Sequence, residues 1–170
     1  MSDRSQVESA LVLFNERLTN SAAFGTLFRE GMDLVEETAA YLDGVGRTEA
    51  KALDRAVSLT YATESMRLTT RLMQLASWLL LHRAVKEGEM TLTQANREKT
   101  KVKLSAADPG PTDTIEKLPQ QLQDLITRSM TLQARVRRLD NTIHSPPGEH
   151  SAIGNPLVPQ LNRLKAAFER

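Results

Sequence analysis

The side chains best equipped for chemistry in this chain are its three histidines, His82, His144 and His150. A hydrolase or transferase needs a nucleophile, a base and a group that orients them. His82 follows Leu79-Leu80-Leu81, a setting that points to packing at a helix end rather than proton transfer. His144 and His150 sit in a Pro/Gly-rich stretch, with too few further ligands to frame a metal ion. The chain has no cysteine, which removes thiolate sites and disulfides alike. No Gly-x-x-x-x-Gly-Lys-Ser/Thr loop, no Gly-x-Gly-x-x-Gly turn and no pocket-framed carboxylate pair is present. The expectation is therefore no catalytic, cofactor-binding or metal-ligating residue, and no enzyme.

One constellation asks for a sharper reading. Glu64 precedes Arg67 by three residues and Arg71 by seven, so on a helix one carboxylate is straddled by two guanidinium groups. Gln74 and Trp78 continue the same strip, which starts at Thr60. It is either an intrahelical ion network covered by neighbours, or a contact surface, since Arg and Trp concentrate in interface hot spots. The second reading makes Glu64, Arg67, Arg71, Gln74 and Trp78 contacts for a protein partner or a self-dimer.

The element that must carry this strip is the run from Tyr61 to Leu81. Wound as a helix, it sets Tyr61, Ser65, Leu68, Leu72, Leu75 and Leu79 on one ridge and Ala62, Met66, Thr69, Met73, Ala76 and Leu80 on the next. Apolar around most of its girth, it is expected to be central and covered on several sides. Trp78, Leu79, Leu80, Leu81 and Val85 point in nearly all directions, more than three helices readily cover, which predicts a homodimer.

Composition sets the rest of the fold. A chain of 170 residues fits one domain, which at that size buries roughly two thirds of its unfolded surface. Helix formers abound while aromatics make up only 4%, favouring an all-α class: an antiparallel helical bundle of three long helices with short accessory helical segments. The first long helix runs from about Ala22 to Asp43, capped by Asn20 or Ser21 and closed by Gly44 and Gly46 in the left-handed conformation. Phe24, Leu27, Phe28, Val35, Tyr41 and Leu42 face inward, and the outer face is acidic: Glu30, Asp33, Glu36, Glu37 and Asp43 against Arg29. The second spans Glu49 to Lys86 as one helix, long enough to allow a bend near Asp54. Thr91 and Gln94 form a capping box that opens a short charged segment. The linker, about 105–114, carries Asp108-Pro-Gly-Pro111. Pro119 then allows a last helix from Leu118 to about Asn141. In it Leu118, Leu122, Leu125, Ser129, Leu132, Val136 and Leu139 make a coiled-coil-like seam. Its Arg128, Arg135, Arg137 and Arg138 complement the acidic helix and predict that the two lie side by side.

At the ends, Ser5 and Glu8 suggest a leading helix over 5–19, with an extended arm as the alternative. The bundle domain is assigned to 1–141 and a Pro/Gly-rich, mobile tail to 142–170, in which Leu157, Leu161, Leu164 and Phe168 share one helical face as a docking motif would. A formal charge of +1 gives no global field for nucleic acid or anionic membrane. Arg71 and Arg83 bracket an apolar run about half as long as the roughly 20 residues of a membrane span. The N-terminus lacks a secretory pattern. The expected compartment is the cytoplasm, with neither nucleic acid nor membrane as partner. Two alternatives remain beside a protein-interaction role: a helical DNA-binding regulator built around Gly88 to Lys103, and a purely structural dimeric scaffold.

Residues 61–81, with Phe24-Gly-Thr-Leu-Phe-Arg-Glu-Gly-Met32, Tyr41-Leu-Asp-Gly44 and His82-Arg-Ala-Val-Lys-Glu-Gly-Glu-Met90, resemble the RcdA family, regulators of CtrA degradation. The resemblance covers about residues 20–104. It implies a bacterial cell-cycle adaptor that helps deliver substrates, among them the response regulator CtrA, to the ClpXP protease. The implied partners are that protease complex, response-regulator substrates and other adaptors. No functional residue is carried over, because the matched runs are mostly core-like.

Overall fold

A computed structural model describes residues 21–99 and 111–144, all but the side chain of His144 in the last helix. Six helices and no strand occur among them: α1 Ala22–Asp43, α2 Val45–Ala52, α3 Arg55–Lys86, α4 Leu92–Lys99, α5 Thr112–Ile115 and α6 Gln120–His144. Local signals fix most of the ends. Ser21 Oγ accepts the Phe24 amide at 3.3 Å and so caps α1. Thr91 and Gln94 form the reciprocal box, Gln94 Oε1 accepting the Thr91 amide at 2.9 Å and Thr91 Oγ1 the Gln94 amide at 3.1 Å.

The expected helix from Glu49 to Lys86 is two helices. Leu53 takes an extended backbone, and Asp54 restarts the chain by accepting the Val57 amide at 2.9 Å. Gly44 does close α1, but at φ −108°; among the described residues only Gly88 has a positive φ. Gly46 lies inside α2, where a Cβ would meet the Tyr61 hydroxyl at 2.6 Å and the Tyr41 carbonyl at 2.7 Å. Glycine is needed there for close approach, not for backbone freedom. Burial, and then the bond that Tyr41 donates to Glu49 at 2.7 Å, push the Tyr41 hydroxyl above its ordinary pKa. The last helix starts just after Pro119 and runs to His144 rather than Asn141, and the single turn α5 overlaps the end of the expected linker.

The core is a three-helix arrangement of α1, α3 and α6. Phe24 meets Trp78 at one end (ring centroids 6.3 Å apart) and Tyr41 meets Tyr61 at the other, so α1 and α3 are antiparallel. Two ion pairs set α1 antiparallel to α6 as well: Glu37–Arg128 at 2.7 Å and Glu30–Arg135 at 2.6 Å. The acidic helix and the basic helix do lie side by side. Two of three packed helices must then run the same way, and α3 and α6 do, with Arg71 beside Ser129 and Trp78 beside Asp140. α6 therefore starts at the same end of the bundle as α3. The heptad seam of α6 is buried at Leu118, Leu122, Leu125, Ser129, Leu132 and Val136. Against it stand Phe24, Leu27, Leu34 and Tyr41 of α1, and Leu68, Leu72, Leu75 and Leu79 of α3. Gly31 marks the tightest crossing: a Cβ there would overlap Leu79 Cδ1.

Candidate interaction surface

The strip predicted as a contact surface faces inward. Glu64, Arg71 and Trp78 are 2%, 1% and 1% exposed, and Arg67 and Gln74 are half-buried. Of the two readings of the strip, an ion network covered by neighbours or a contact surface, burial favours the first, because α6 supplies polar groups where α3 needs them. Arg71 Nη1 donates to Ser129 Oγ at 2.9 Å, and Ser129 Oγ donates on to the Ile126 carbonyl at 2.7 Å. Trp78 Nε1 donates to Asp140 Oδ1 at 2.8 Å, and Lys99 Nζ of α4 pairs with Asp140 Oδ2 at 2.6 Å. Glu64 pairs with Arg67 at 2.5 Å, in keeping with an ion network covered by neighbours. Buried polar side chains of this kind persist because each finds a partner.

His82 closes the inner row. Its ring stacks on Trp78 with centroids 4.0 Å apart, and its Nδ1 lies 2.9 Å from the Trp78 carbonyl. A carbonyl only accepts, so Nδ1 carries the proton. Desolvation lowers the His82 pKa from its ordinary value, outweighing the carbonyl bond and Asp140, which raise it; Lys99 adds to the lowering. A fully buried, neutral imidazole held in this way is a packing group, as its place after three leucines implied. Lys99, within the Gly88 to Lys103 segment of the DNA-binding alternative, is engaged with Asp140. Lys101, Lys103 and His150 lie outside the described residues, as do the leading segment 5–19 and the docking motif Leu157, Leu161, Leu164 and Phe168.

What α3 presents to solvent is the second apolar ridge, expected to be covered. Leu59, Met66, Met73 and Leu80 are 71%, 72%, 66% and 52% exposed. Ala62 and Thr69, between them, are exposed, as are Thr63 and Thr70 beside them. Along this face Arg67 is the only charged side chain between Leu59 and Leu80 that is not buried, and it is paired with Glu64. A cleft of about 290 Å³ between α1 and α3 borders the middle of the ridge, walled by Val35, Ala39 and Leu42 opposite Thr69, Met73 and Ala76. The signal that sequence reading missed is a heptad: 59, 66, 73 and 80 are each seven apart and all large and apolar. Among the described residues no cluster of His, Asp and Glu could hold a metal ion, and no helix is long and apolar enough to cross a membrane.

Between Leu59 and Leu80, then, α3 turns an apolar face outward, while its Glu64 and Arg71 are buried and bonded. Residues 15–168 match the family described as "Protein of unknown function (DUF1465)". The crystal structure of RcdA from Caulobacter crescentus CB15 superimposes with a TM-score of 0.64 at 48% sequence identity, covering 77% of this chain and 98% of that one. This chain belongs to the RcdA family. No curated protein matches it. The family match, over residues 15–168, reaches beyond the sequence resemblance over about residues 20–104.

Proposed function

We propose that this RcdA-family chain is a non-enzymatic adaptor in regulated proteolysis, which helps bring cell-cycle substrates such as CtrA to the ClpXP protease. The observation that carries this reading is the 48% identity to RcdA over 98% of that chain. The layout of the described residues supports it. Groups that could drive catalysis, such as Glu64, Arg71 and His82, are buried in packing roles, while the uncovered surface is suited to another polypeptide. An adaptor of this kind needs no bond chemistry. It holds two partners together and raises the effective concentration of one at the other. In this reading the protein works as a homodimer in the cytoplasm, its partners being the protease complex, response-regulator substrates or other adaptors. The segment from 142 to 170, with Leu157, Leu161, Leu164 and Phe168, acts as a tether.

The test is degradation of purified CtrA by ClpXP with and without the full-length chain. Substrate is held well below saturation, where raised local concentration speeds turnover most. Acceleration at low substrate that vanishes at saturation is the expected result; no acceleration, and no capture of either component, refutes the reading. The same assay with residues 142–170 removed assigns or denies the tethering role.

A further inference from the structure

The outward face of α3 reads nearly the same in both directions. About a centre between Thr69 and Thr70, Met66 mirrors Met73, Leu59 mirrors Leu80, Ala62 mirrors Ser77 and Thr63 mirrors Ala76. Large apolar residues thus fall on large ones and small residues on small ones. The inward face of the same helix has no such order: Glu64 mirrors Leu75 and Leu68 mirrors Arg71, and Arg67, at the edge between the faces, mirrors Leu72. An interface with two-fold symmetry requires that residue i of one copy meet residue j of the other while j meets i. When a helix pairs with itself antiparallel about such an axis, each residue meets the one at its mirror position, so the contacts this face would make are between matched apolar or small side chains.

We propose that a second copy of this chain covers the face, its α3 antiparallel to the first and the two-fold axis passing beside Thr69 and Thr70. The inference rests on the reading that the protein works as a pair, and deepens it by fixing surface, direction and register. Four further observations favour this occupant. The large side chains keep a strict seven-residue repeat, and small residues fill the places between them, so two helix backbones can approach closely. No unpaired charge lies along the strip to be desolvated or to repel its own image. In the proposed register the second copy's Met66 comes opposite Met73, at the mouth of the cleft walled by Val35, Ala39 and Leu42. An unbranched thioether suits such an irregular space, and symmetry fills the second cleft in the same way.

Because the chain has no cysteine, single introduced thiols report the geometry directly. In the full chain, Thr69→Cys on the axis is expected to give a covalent dimer with a short bis-thiol crosslinker. Leu59→Cys is expected to give none alone, since antiparallel pairing holds it ~31 Å from its own copy. An equal mixture of the Leu59→Cys and Leu80→Cys proteins is expected to crosslink. Glu36→Cys, on the outer side of α1, serves as the control. As a reading independent of thiols, Met66→Gln with Met73→Gln is expected to weaken self-association at least tenfold in light scattering while the helical circular dichroism is retained.

Crosslinking of Leu59→Cys alone would show parallel pairing and overturn the proposal. So would a dimer by light scattering in which Thr69→Cys fails to crosslink and the double methionine variant associates normally; in that case the pairing reading survives and only the surface is wrong. A monomer at all micromolar concentrations overturns both.

Discussion

The two long faces of α3 exchange the roles usually given to the inside and outside of a helix. Facing α6 are Glu64, Arg71, Trp78 and His82, buried and bonded; facing solvent are Leu59, Met66, Met73 and Leu80, more than half exposed. A charged group is tolerated inside only where partners replace its water, and the inner row has them in Ser129, Asp140 and Arg67. Apolar groups outside forgo the stabilisation of burial until something covers them. The contrast shows that the interior of this bundle is specified by polar matches between α3 and α6, while large apolar side chains stand on its outer face.

Breaking the inner face should cost most. Trp78→Ala removes a fully buried ring that packs on Phe24 and His82, and it takes the indole donor from Asp140. A loss of about 3–5 kcal/mol in denaturant-induced unfolding is expected for such a truncation. Gly31→Ala drives a methyl into Leu79, itself fully buried. Overpacking of this kind should cost about 1–3 kcal/mol by the same measurement.

His82 sharpens the contrast through pH. The fold lowers its pKa, so between the folded value and the unfolded one, ~6.5, the unfolded chain binds more protons than the native one. Stability from this group is therefore complete above the unfolded pKa and is lost as pH falls towards the folded value. Unfolding midpoints should drop as pH is lowered from about 6.5, and His82→Gln should flatten that slope.

On the outer surface the effects on the monomer should be small. Arg135→Ala breaks a half-exposed pair with Glu30 and should cost less than about 1 kcal/mol, fading further in salt. Met66→Gln with Met73→Gln should change monomer stability by no more than about 0.5 kcal/mol, as surface substitutions usually do, while acting on self-association. A large loss of stability from that pair, or none from Trp78→Ala, would reverse the assignment of the two faces.

Much of the frame was readable beforehand because it depends on neighbours in sequence. The bounds of α1, the cap at Ser21, the box at Thr91 and Gln94, and the seam from Leu118 to Val136 all follow from residues within a turn or two of one another. The side-by-side placement of the acidic and basic helices was readable for another reason, the opposite charge of their two edges. The break at Leu53 was only half visible, because Asp54 signals a cap but the periodicity on either side is continuous.

The rotation of α3 about its own axis was not readable. Its ridge of Leu68, Leu72, Leu75 and Leu79 is buried in either orientation, but the polar strip and the second apolar ridge flank that ridge on opposite sides. Either could have been turned outward.

By itself, then, the sequence determined that this protein is helical, where the long helices start and stop, and which edges attract, since those are matters of local hydrogen bonding and charge. Only the tertiary structure decided which side of α3 meets water. That choice depends on Ser129 and Asp140, tens of residues away, being positioned to receive Arg71 and Trp78; a buried polar group is stable only beside a partner that folding brings to it.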